Sequence, residues 1–103
     1  MCKKSFFNAV MIILSEESEL STTSLLGKQH CVELTDARSI LISILYYDIG
    51  LNMIQISTLT GFSVSGVSYL LNRVKERFKQ NLSYKVLYNK VKNRVSNEIV
   101  ANA

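Results

Sequence analysis

Ile56-Ser57-Thr58-Leu59-Thr60-Gly61-Phe62-Ser63-Val64-Ser65-Gly66-Val67-Ser68-Tyr69-Leu70 places apolar and small residues where two helices joined by a tight turn need them. Ile56 faces inward from the first helix, and the small Ser57 lets the second helix cross close by. Gly61 supplies the left-handed turn residue, a conformation that side chains with a Cβ resist. Phe62 plugs the corner, while Ser63 is placed to cap the second helix by accepting from the amide of Ser65 or Gly66. Val67 and Leu70, three apart, face back onto the first helix. The spacing predicts a helix-turn-helix. Apart from Phe62 and Val64, the outer face from Ser63 to Tyr69 is polar and small, which suits a helix entering the DNA major groove. The competing reading is a helix pair that serves a structural core or binds protein.

The surrounding chain reads as one all-α domain. At 103 residues it has room for a single modest core, and with nearly half its residues apolar, four glycines and no proline it suits a helical bundle. An amphipathic helix is expected over residues 6–15, with Phe6, Phe7, Val10, Ile13 and Leu14 facing the core. Residues 18–28, rich in serine and threonine, predict a loop or short helix closed by Gly27. Thr35 reads as the cap of the next helix, with Asp36 in its first turn and Ile40, Leu41, Ile44 and Leu45 at helical spacing up to Gly50. Asn52 caps the helix through Leu59, and the second motif helix runs to about Lys79. After Asn81-Leu82-Ser83 a last helix carries Tyr84, Leu87, Tyr88, Val91 and Val95 on one stripe, and residues 98–103 read as a frayed end. The expectation is a five- to six-helix orthogonal bundle in a single domain, residues 1–103, with its core over about 6–95.

The net charge of +4 is spread unevenly. Residues 61–95 carry Arg73, Lys75, Arg77, Lys79, Lys85, Lys90, Lys92 and Arg94 against the single acid Glu76. Before Gly61 the acids Glu16, Glu17, Glu19, Glu33, Asp36 and Asp48 outnumber Lys3, Lys4, Lys28 and Arg38. A basic half beginning at the second motif helix is what phosphate neutralisation asks for; its bland counterpart is a solvated helix face.

Other chemistries find little support. Cys2 and Cys31 imply no disulfide framework, and the pair His30-Cys31 falls short of a zinc ligand set, so neither metal nor cofactor is expected. No paired carboxylates or activated nucleophile point to an enzyme or to a small-molecule substrate. Lys3-Lys4 followed by Phe6, Phe7 and the run from Ala9 to Leu14 imitates the start of a secretory signal. Asn8, the acids at 16 and 17 and the lack of a cleavage site argue for a cytoplasmic protein instead, and the run is too short to span a membrane.

Taken in order, Leu25-Leu26-Gly27-Lys28, Ala37-Arg38 with its apolar run, Ile56-Ser57-Thr58-Leu59-Thr60-Gly61, Val67 and a closing helix beyond Leu82 resemble a known family. The chain is similar, over roughly residues 6–95, to the DNA-binding C-terminal domain of the bacterial replication initiator DnaA. The resemblance implies an all-α bundle whose helix-turn-helix is related to that of the Trp repressor. Sigma factors and response regulators share the stretch around Ile56 to Arg73. The chain departs from the family where an arginine, an aspartate and a histidine usually follow the turn: Phe62, Ser63 and Val64 stand there, in a turn one residue shorter. Nor does it contain the G-x-x-x-x-G-K-[ST] loop of a nucleotide-binding domain.

The expected partner is therefore double-stranded DNA, read by a stand-alone module in transcription, replication or a mobile element. Ser65, Ser68, Tyr69 and Asn72 are the candidates for base edges. Lys28, Arg38, Ser63, Arg73, Lys75 and Arg77 are the candidates for phosphates. A salt bridge to an acid is the rival role for Arg38, and a partly buried core position the rival for Tyr69. In the alternative reading Phe62 and Val64 face a protein partner or a second copy of the chain.

Overall fold

The computed structural model describes residues 3–101. Six α-helices, α1 (Lys3–Ser18), α2 (Thr22–Leu26), α3 (Val32–Ser43), α4 (Met53–Thr60), α5 (Val64–Gln80) and α6 (Leu82–Ala101), account for most of them, and no strand occurs among the described residues. A π-helical segment, Ile44–Ile49, extends α3.

The whole is organised around α3. Its residues Leu34 and Ala37 to Ser43 are all buried, the pattern of a helix covered on every side. It packs chiefly on α5, while α1 lies along α6. From α1, Phe7, Val10, Met11, Ile13 and Leu14 are buried, and from α6 Tyr84, Tyr88, Val91 and Val95. Burying an aliphatic side chain stabilises by about 1.5–3 kcal/mol, so these stripes hold the bundle together. Two serines of α3 enter this core because tyrosines four apart on α6 meet them. Ser39 Oγ lies 2.7 Å from the Tyr84 hydroxyl, and Ser43 Oγ 2.7 Å from that of Tyr88. Matching i, i+4 pairs on two helices fix their register, since a slip by one turn would leave one serine and one tyrosine hydroxyl without their cross-helix partners.

Several boundaries differ from the sequence reading. The first helix spans Lys3–Ser18, longer than the expected 6–15. Thr35 is not a cap: α3 starts one turn earlier behind Cys31, and the Thr35 hydroxyl donates to the Cys31 carbonyl at 2.9 Å. Asp36 accordingly lies beyond the first turn. Gly50 ends the segment in the left-handed region, φ 86°, as the sequence suggests, but the turn before it has widened to π geometry. That widening buries Ile44 and Leu45 while Tyr46 and Tyr47 face outward, packed edge to face with centroids 5.0 Å apart. Helix α6 begins at Leu82, its Tyr84 amide donating to Asn81 Oδ1 at 3.0 Å. It continues through Ala101, where fraying was expected from residue 98. Cys2 and residues 102–103 lie outside the described residues. No helix among the described residues is long and apolar enough to cross a membrane.

Candidate nucleic-acid interface

Helix α4 opens with a capping box. Asn52 Oδ1 accepts from the Gln55 amide at 2.8 Å, and Gln55 Oε1 accepts from the Asn52 amide at 3.0 Å. It closes at Gly61, φ 82°, whose amide donates to the Ser57 carbonyl. The turn is then tied from both sides: the Ser57 hydroxyl donates to the Phe62 carbonyl, and the Phe62 amide donates to Thr60 Oγ1 at 3.2 Å. Ser57 is thus more than a small residue at a crossing. Ser63 caps α5 by accepting from the Gly66 amide at 3.1 Å, one of the two donors the sequence nominates. Val67 and Leu70 are buried and face inward, as their spacing requires.

The opposite face of α5 is open. Ser63, Val64, Ser65, Tyr69, Asn72, Lys75 and Glu76 are exposed, and Ser68 is half-buried. Ser65, Ser68, Tyr69 and Asn72, at three- and four-residue spacing, form one stripe along the first half of the helix. Tyr69 is 51% exposed, which removes the core reading of its ring.

The phosphate candidates divide sharply. Lys28 and Lys75 are exposed and form no ion pair among the described residues. Arg38 requires a correction: it is only 4% exposed, buried rather than displayed on the outer face, and it pairs with no acid among the described residues. Its Nε donates to the Leu25 carbonyl at 2.8 Å, and Nη2 donates to the carbonyls of Ser24 and Gly27 at 3.0 and 2.9 Å. The last carbonyls of a helix have no partner within it, and here the Ser24 carbonyl also accepts from the Gly27 amide at 3.2 Å while the guanidinium fork reaches all three. The Arg38 carbon Cζ also sits 5.9 Å from the centre of the Phe62 ring, joining α2 to the motif turn.

Arg73 and Arg77 are half-buried and both turn toward Asp36. Arg77 donates through Nη2 to Oδ2 at 2.8 Å and through Nε to Oδ1 at 3.1 Å, and Arg73 reaches Oδ1 through Nε at 3.2 Å. Arg73 Nη1 also lies 3.4 Å from the Tyr69 hydroxyl. As free phosphate ligands these two are corrected as well: one carboxylate shared by two cations leaves a single net positive charge at this edge. On the far side Arg94 binds Glu16 and Glu17 at 2.8 and 3.0 Å, which raises its proton affinity above the ordinary value. Charge that is segregated along the sequence is therefore partly cancelled in space.

Beside the α5 N-terminus lies a groove of about 630 Å³, bounded by the Gly27–His30 turn and by Thr35, Arg38, Phe62, Ser63, Gly66, Tyr69 and Leu70. Sequence reading missed both this groove and the role of Asp36, because each depends on segments more than thirty positions apart. Among the described residues no His, Cys, Asp and Glu side chains gather as metal ligands would. No protein-family model matches the chain, and neither a curated protein nor a solved structure matches it.

Proposed function

We propose that the chain binds double-stranded DNA, with α4, the Gly61 turn and α5 working as a helix-turn-helix. The observation that carries this reading is the polar stripe of Ser65, Ser68, Tyr69 and Asn72, left open at the capped start of a helix whose other face is buried. A helix so presented fits the width of the major groove. Serine hydroxyls donate or accept without strong base preference, and Asn72 is the side chain able to take adenine by two hydrogen bonds. Lys28, Lys75 and the Ser63 hydroxyl are the phosphate contacts that remain unobstructed, with Arg73 and Arg77 reaching phosphate by leaving Asp36. In this reading the chain is a DnaA C-terminal-like module that regulates transcription or replication in a bacterial cytoplasm, with no catalytic step and no cofactor.

The decisive measurement is fluorescence anisotropy with a labelled duplex across a salt series. Log affinity should fall linearly with log salt, by a slope of about 0.9 per phosphate contacted, and Lys75→Ala should lower that slope by about 1. No binding at low salt overturns the reading.

A second reading is favoured by Val64, which is 46% exposed at the first position of α5. An apolar side chain at that tip suits a protein partner or a second copy better than a phosphate-rich surface. Failure to bind duplex, together with a concentration-dependent mass that Val64→Lys abolishes, would select it.

A further inference from the structure

The groove beside the α5 N-terminus has the composition of a small-ligand site. Its volume of about 630 Å³ falls within the range of such sites, roughly 300–1,000 Å³. Three residues with nitrogen-bearing side chains, Lys28, His30 and Arg38, border it, and no carboxylate does. Phe62 and Leu70 add apolar surface to its lining, and the half-exposed Tyr69 borders it as well.

Two independent features point to an anionic group within it. The seventeen-residue helix α5 starts there, and amides in its first turn carry the positive end of the helix dipole. Arg38, 96% buried by its 4% exposure, spends Nε and Nη2 on the end of α2, yet Nη1 has no hydrogen-bond partner among the described residues. The side chain that carries this nitrogen borders the groove. A guanidinium held this rigidly presents its spare donors without losing side-chain entropy.

We infer that the groove binds a phosphate carried on a planar ring, as in a nucleotide: Arg38 Nη1, Lys28 and the first turn of α5 take the phosphate, and the ring lies against Tyr69 over Phe62. The binding requires no bond to be made or broken. It goes beyond the DNA-binding reading and stands independently of it, although Lys28, Ser63 and Tyr69 belong to both surfaces. A ligand there would therefore contend with a duplex for the same face.

The test is an amide NMR titration of the isotope-labelled chain with adenosine monophosphate, with adenosine, inorganic phosphate and a duplex oligonucleotide as separate arms. The monophosphate should shift the amides of Ser65 and Gly66 and the ring of Tyr69, and bind at least about tenfold tighter than either fragment. Lys28→Ala should weaken it severalfold with an unchanged melting temperature, and Tyr69→Ala should weaken the monophosphate while sparing inorganic phosphate. The assignment is overturned if millimolar monophosphate leaves these signals in place or shifts a different surface. Binding of duplex without monophosphate removes the groove ligand and leaves the DNA-binding reading intact. Monophosphate bound at the groove with no duplex binding does the reverse.

Discussion

The Asp36 carboxylate receives Arg77 as a bidentate pair, 2.8 Å from Nη2 to Oδ2 and 3.1 Å from Nε to Oδ1, and so fastens α3 to the last turn of α5. Arg73 shares the same carboxylate, and all three side chains are mostly withdrawn from solvent. Asp36→Asn keeps the shape but removes the charge that offsets two guanidiniums. It should cost about 1–3 kcal/mol of stability, read from the midpoint of urea unfolding. An unchanged midpoint would show that the cluster contributes nothing to holding these helices.

The paired hydroxyls of α3 and α6 predict a non-additive result. Ser43 is 1% exposed, and Tyr88→Phe leaves its hydroxyl without the tyrosine. Tyr88→Phe and Ser43→Ala should each cost about 1–2 kcal/mol, while the double variant should lose clearly less than their sum. Additive losses in a double-mutant cycle would mean that the two groups do not interact.

Alkaline pH should weaken the fold through Tyr84. Burial pushes its phenol up to about 12 from 10.0, against the opposing hydrogen bond from Ser39. With the folded value above the unfolded one, the stabilisation is complete below pH 10 and is lost as pH rises toward 12. The loss should be on the order of 2 kcal/mol, measured as the urea midpoint against pH. Tyr84→Phe should flatten that interval; a slope that persists would assign it to other tyrosines.

The turn preceding α5 is sensitive at two places. Gly61, at φ 82°, has open space around a hypothetical Cβ, so Gly61→Ala isolates backbone strain and should cost about 1–2 kcal/mol. Ser63→Ala removes the acceptor for the Gly66 amide and should cost about 1 kcal/mol. Thermal melts of both variants check this, and an undiminished melting temperature for Gly61→Ala would mean that the left-handed turn is dispensable.

Local patterns in the chain were legible where local chemistry decides them. The helical class, the Gly50 and Gly61 stops and the Asn52 and Ser63 caps follow from residue types acting over a few positions. The start of α3 was misplaced because Thr35 has the chemistry of a cap, whereas its hydroxyl instead donates to the carbonyl one turn back. The π turn at Ile44–Ile49 carries no composition of its own. On the candidate interface, the outward stripe from Ser65 to Asn72 could be read from periodicity alone. The fates of Arg38, Arg73 and Arg77 could not, since a charged side chain looks equally solvated in sequence whether it meets water, a carbonyl or an acid. Only the fold brings Asp36 and the end of α2 within their reach.

Because Arg38 satisfies the end of α2 and borders the groove with the same side chain, structural integrity and ligand preference at that spot are not separable. Replacing it to alter what binds would first loosen the scaffold. Change on the two proposed surfaces is thereby left to side chains outside that scaffold contact, Lys28 and His30 beside the groove and Ser65 and Asn72 on the open stripe of α5.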